Sequence, residues 1–170
     1  DQLPTSSSSP SSSFMSNTLV ARFKAVAAVL TTAMIIELSQ YLETSQSFHD
    51  DTSTFLFGNV GIMLMAALSQ WALLDGTLAA LLSASLVSIG GPLSELPFVA
   101  HGFWHYLPQA GDYLPLAGVE WGNGNLVAGL LGTNYHDLAL SSITGPCYFA
   151  VTMDAIALGR WFDTNDDKPR

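Results

Sequence analysis

TSTFLFGNVGIMLMAALSQWALL, Thr52 to Leu74, is 23 residues without one formal charge. That length of apolar chain, wound as a helix, crosses the hydrocarbon core of a bilayer. Gly58, Gly61, Ala66 and Ala67 are small enough to let a second helix approach closely. Trp71 stands near the end of the run, where an aromatic belt meets the membrane surface. This stretch sets the expected fold class: an all-α integral membrane protein.

Working outward, a polar connection (ETSQSFHDD, from Glu43) precedes it, and before that lies TLVARFKAVAAVLTTAMIIELSQYL, for which Asn17 is a ready helix cap. Arg22 and Lys24 sit at one end of that run, where long side chains can snorkel to the surface. On the other side, Asp75-Gly76 is a turn signal leading to Thr77–Ile89, too short to cross alone. The third span must therefore draw on Gly90–Ala100 and is expected to be broken around Pro92 and Pro97. Leu126–Leu140, carrying His136 and Asp137, reads as an interfacial or re-entrant segment. The last apolar run, from Ile143 to Phe162, has Thr144 as cap and Pro146 in its first turn. The expectation is four transmembrane helices, with a broken third helix and an interfacial segment before the fourth. Residues 1–16 (DQLPTSSSSPSSSFMS) form a Ser/Pro-rich extended arm, 17–162 the membrane domain and 163–170 a polar tail.

Composition agrees. Hydrophobic residues make up 49% of the 170-residue chain and charged residues 11%, too few to cover a water-exposed surface. Five basic residues against 14 acidic give a net charge of -9 and argue against nucleic acid, since phosphate contacts need Lys or Arg. With four spans, Arg22, Lys24, Arg160, Lys168 and Arg170 all fall on the side of the two termini, as the positive-inside rule asks. His49, His101, His105 and His136 fall on or near the opposite face. The lone Cys147, among apolar neighbours, is a packed side chain. A chain beginning at Asp1 reads as the product of a removed targeting peptide.

Two places can carry chemistry. GGPLSELPFVAHGFWHY, Gly90 to Tyr106, holds Glu95, the i, i+4 pair His101 and His105, and the aromatics Phe103, Trp104 and Tyr106. On a helix that pair shares one face, and Glu95 can join if the chain folds back near Pro97, giving an N/N/O set. No second histidine box follows, so no metal is assigned. Histidines hydrogen-bonded locally at the interface and histidines ligating a tetrapyrrole magnesium are the other readings. The second place is Asp154, eight residues into an apolar helix. An acid at that depth is functional or is held by a neighbouring helix, through Ser69, Gln70, Thr77, Ser83 or Ser85. Phosphate loop, nucleophile elbow and Cys-x-x-Cys are absent, and GNGN (Gly122–Asn125) reads as a turn.

From Asn17 to Trp161 the chain resembles, in architecture, the small multi-span accessory subunits of algal photosystem supercomplexes. The Glu-x-x-His-x-Arg pattern of light-harvesting proteins is missing. The resemblance implies a non-catalytic subunit in contact with other membrane subunits and lipid, with chlorophyll and carotenoid as cofactors and His101, His105, His136 and Glu95 as candidate ligands. It implies a thylakoid location with the basic face stromal; the mitochondrial inner membrane is the second choice. The alternative is a small isomerase or cyclase acting on a lipid, sterol or isoprenoid, with Glu95 and Asp154 as acid/base groups and His101 as proton partner.

Overall fold

Asp75 and Gly76 reverse the chain. Gly76 takes the left-handed conformation (φ 69°) that a side chain would strain, and its N–H donates to Trp71 O at 2.8 Å. Asp75 Oδ1 accepts from the backbone N–H of Thr77 at 3.0 Å and from its hydroxyl, while Thr77 Oγ1 caps the next helix by accepting from Ala80 N. The two helices so joined are α2, Asn59–Leu74, and α3, Leu78–Ala100.

The computed structural model describes residues 11–44, 58–107, 110, 111, 113, 114, 120, 121 and 124–166. Besides α2 and α3 it contains α1, Ser11–Thr44, a short hairpin of β1 (Glu120–Trp121) and β2 (Gly124–Asn125), α4 (Leu126–Leu131), a 3-10 turn (Tyr135–Leu138) and α5, Thr144–Asp166. The protein is thus mostly helical. Residues 11–16, expected in the extended arm, are already helical, because neither Gly nor Pro stands there to stop propagation from the apolar run. Residues 1–10, the connection with His49, and the tail beyond 166 lie outside the described residues.

The expected break in the third helix is not there. α3 runs unbroken through Pro92 and Pro97. Each proline withdraws one donor, freeing the carbonyls of Ser88 and Leu93. At the first of these α5 packs closely: a Cβ on Gly145 would lie 3.1 Å from Ser88 O, and one on Gly91 would lie 2.5 Å from Cγ of Tyr148. Packing against α5 outweighs the local breakers. The helix ends instead at Gly102 (φ 72°), where Gly102 N donates to Val99 O (3.0 Å) and Phe103 N to Phe98 O (2.9 Å). This is a Schellman end, closed by the Phe98–Phe103 ring contact at 6.0 Å.

α5 lies against α1, α2 and α3. Its Phe149, Ala150 and Met153 meet Ile35 and Leu42 of α1, Met63 and Ala67 of α2, and Ala80 and Ala84 of α3. Much of that contact is alanine, which brings backbones close. Of the small residues singled out in α2, Gly61 and Ala67 are buried and Gly58 and Ala66 half-buried. Leu96 and Val99 at the far end of α3 are covered by Ala128 of α4, Leu138 of the 3-10 turn and Leu140 just after it. The segment expected at the interface is therefore a cap over α3. Asn125, the last residue of GNGN, opens α4 by accepting from Val127 N at 2.9 Å.

The outside of the bundle is apolar. Leu19, Phe23, Val26, Leu30 and Met34 form one exposed stripe on α1, and Leu78, Leu82, Leu86, Ile89 and Leu93 another on α3. Among the described residues two helices are long and apolar enough to cross a membrane, Leu19–Thr44 and Leu78–Ala100. α2 is apolar but only 16 residues long. α5 has the length but carries Asp154, Arg160, Asp163 and Asp166.

Candidate functional site

Glu95 is held between two phenols. Gly91 lets the ring of Tyr148 lie against α3, and one turn later the Tyr148 hydroxyl donates to Glu95 Oε1 at 2.8 Å. Tyr106, beyond the end of α3, donates to Oε2 at 2.5 Å, and its oxygen is 3.1 Å from Thr144 Oγ1 at the start of α5. Burial and the carboxylate beside it push the Tyr106 phenol well above its usual range. With both oxygens occupied, Glu95 is a tie between α3, α5 and the chain after α3 rather than an open ligand. A cavity of about 270 Å³ lies near this crossing, lined by Ser88, Pro92, Leu93, Tyr113, Ser141 and Gly145 among others.

The histidines part company with Glu95. His101 is the C-cap of α3 and its Nδ1 is 2.6 Å from Pro97 O. A carbonyl only accepts, so Nδ1 carries the proton in that contact and, in the neutral ring, Nε2 is the acceptor. His105 lies beyond the end of the helix, so the pair never shares a helical face; Gly102, between them, ends the helix. Both are exposed; the His101 ring stands 6.5 Å from that of Phe103, and Phe98 stacks on Trp104 at 5.1 Å. His136 is exposed in the 3-10 turn, against Tyr135. Among the described residues no group of three or more His, Cys, Asp or Glu side chains is placed to hold a metal ion.

Asp154 is 3% exposed, in the middle of the bundle. Thr31 Oγ1 is 2.9 Å from its Oδ1, Thr32 Oγ1 is 2.5 Å from its Oδ2, and Gln70 Nε2 donates to Oδ1. Of the partners expected for Asp154, Gln70 is the one found. Thr31 and Thr32 were missed, although they are the only hydroxyls in the run from Ala25 to Ile36. Tyr148, the α5 partner of Glu95, stands six residues before Asp154, about 9 Å of helix rise, and the two acids form separate clusters.

A third cluster marks the opposite end from Glu95. Arg160 Nη2 stands 2.7 Å from Asp75 Oδ2, and Lys24 adds its field. Burial pushes the Asp75 carboxyl up, but Thr77, Arg160 and Lys24 together outweigh it and hold it below its ordinary value. Arg22 and Trp161 flank an apolar groove at this end, with Ala25, Val29 and Leu158. Three of the five basic residues thus gather at one end of the bundle. Comparison with protein-family models, characterised proteins and solved structures gives no match.

Proposed function

We propose that the four long helices lie in a membrane and that the protein is a non-catalytic accessory subunit of a large membrane complex, a photosystem by preference. The observation that carries this reading is the inverted surface: exposed leucines and valines along α1 and α3, with Leu86 at 74% and Leu30 at 60% exposure, around a core that holds the polar clusters. α2 and α5 cross as partners of these two, since α5 contacts all three others. The two acids favour a structural role. Each is bound to neighbouring helices or chain by hydrogen bonds, and they stand in different clusters, so they do not flank one substrate.

Pigment binding rests on His101. Its Nδ1 is engaged by a backbone carbonyl and the residue is exposed, and a backbone carbonyl on one ring nitrogen is how an imidazole is oriented towards a metal centre. His101 Nε2 would hold a chlorophyll magnesium, with Phe98, Phe103 and Trp104 as aromatic neighbours, and carotenoid would lie along the exposed helix faces. His105 and His136 are further ligands on the same face. The reading places that face away from the basic end, lumenal in a thylakoid, with the basic end stromal; in a mitochondrial inner membrane the basic end would face the matrix. Purification from native membranes with an absorption spectrum tests it. The chain is expected to co-purify with other subunits and with pigment, and His101→Ala to lose about one tetrapyrrole per chain. A colourless, monodisperse chain that purifies alone contradicts the proposal.

A further inference from the structure

Thr31, Thr32, Gln70 and Asp154 come from three helices, α1, α2 and α5, and meet inside the bundle, Gln70 and Asp154 buried and the two threonines half-buried. Hydrogens are scarce among them. The Thr32 hydroxyl has one hydrogen and two acceptors in reach, Ala28 O at 3.0 Å and Asp154 Oδ2 at 2.5 Å. The Thr31 hydroxyl has one hydrogen and three acceptors, Ala27 O at 2.9 Å, Ala28 O at 3.0 Å and Asp154 Oδ1 at 2.9 Å. Gln70 Nε2 supplies Asp154 Oδ1 and Thr31 Oγ1, while Gln70 Oε1 is buried without a partner among the described residues. The cluster is short of donors.

No charge makes up the difference. On α1 the nearest charged residues in sequence are Lys24 and Glu37, and on α5 Arg160 and Asp163; α2 has none before Asp75. Arg160 and Lys24 serve Asp75, Glu95 on α3 is bonded to its two tyrosines, and Tyr148 on α5 faces Glu95. Among the described residues no basic side chain pairs with Asp154.

We propose that Asp154, Thr31, Thr32 and Gln70 form a proton-binding site at the centre of the bundle, occupied at neutral pH. The acid proton sits on Oδ2 and is donated to Thr32 Oγ1, which turns the Thr32 hydroxyl to Ala28 O. Oδ1 then acts as a carbonyl and accepts from Gln70 and Thr31. Every hydrogen in the cluster has an acceptor, and no net charge is buried. The oxygens already stand 2.5 and 2.9 Å apart, so the ligand that fits between them is a proton and not a metal ion. The inference depends on the packing of α1, α2 and α5 and not on which complex the chain joins.

Infrared difference spectroscopy of the full chain in lipid nanodiscs at neutral pH tests it. A carbonyl stretch of a protonated carboxylic acid is expected in the wild type, lost in Asp154→Asn and kept in Glu95→Gln. Thr32→Val, which preserves shape but removes the acceptor, is expected to move that band to higher frequency. Should Asp154→Asn not fold, the wild-type band, its shift in Thr32→Val and its persistence in Glu95→Gln decide the matter. Absence of the band from the wild type, its loss in Glu95→Gln, or a band that Thr32→Val leaves in place would overturn the proposal.

Discussion

Gly90 and Gly91 are neighbours in sequence with opposite surroundings. A Cβ on Gly90 meets nothing within 4 Å, whereas one on Gly91 would enter the ring of Tyr148. Gly91→Ala is expected to cost about 1–3 kcal/mol by overpacking. Gly90→Ala is expected to be neutral or stabilising by up to about 1 kcal/mol, because alanine is the better helix former. Unfolding of both variants in the same detergent checks the pair, and equal effects would contradict the placement of Tyr148. Tyr148→Phe takes one donor from a half-buried Glu95 and is expected to cost about 1–3 kcal/mol in the same assay. These contacts are only partly legible in the sequence. Glu95, His101 and Asp154 stood out as polar residues in apolar surroundings. Tyr148 and the Thr31–Thr32 pair did not, and Thr144 was legible only as a helix cap, since hydroxyls are unremarkable until a partner chain segment faces them.

At the scale of elements, periodicity and turn chemistry located the helices, and the breakers misled. The Asp75-Gly76 turn and the helix opening at Thr144 are where the residues place them. Pro92 and Pro97 predicted a break because local sequence records a missing donor and says nothing of α5, which packs across it. The α2–α3 turn carries a pH prediction. The Asp75 carboxyl is held below its ordinary 3.8, so its contribution is present above that value and is lost as pH falls through the lower folded value. Arg160 is largely exposed, which limits the pair to under about 1 kcal/mol. Asp75→Asn is therefore expected to lower stability slightly at neutral pH and to narrow the gap from wild type under strong acid. A gap that widens on acidification would contradict the assignment. At the other end of α3, Gly102→Ala places a Cβ at a positive φ and is expected to cost about 1 kcal/mol, read as earlier thermal unfolding.

For the whole molecule, the composition was the more reliable guide: 49% hydrophobic residues with 11% charged became a bundle with leucine and valine on its outside. The part that α2 and α5 play is less legible. α2 and α5 depend on neighbours for cover, and hydropathy along one segment cannot register that. The clustering of Arg22, Lys24 and Arg160 near Asp75, with His101 and His105 beyond the opposite end of α3, gives the bundle two distinct ends. Whether a membrane separates those ends is the central claim. It is tested by replacing Cys147, the sole cysteine, with alanine and introducing either Asp163→Cys or His105→Cys, both at exposed positions. Sealed vesicles carrying each variant are treated with a membrane-impermeant maleimide. One position is expected to be labelled at once and the other only after permeabilisation; equal labelling of both in intact vesicles would contradict a membrane between the two ends.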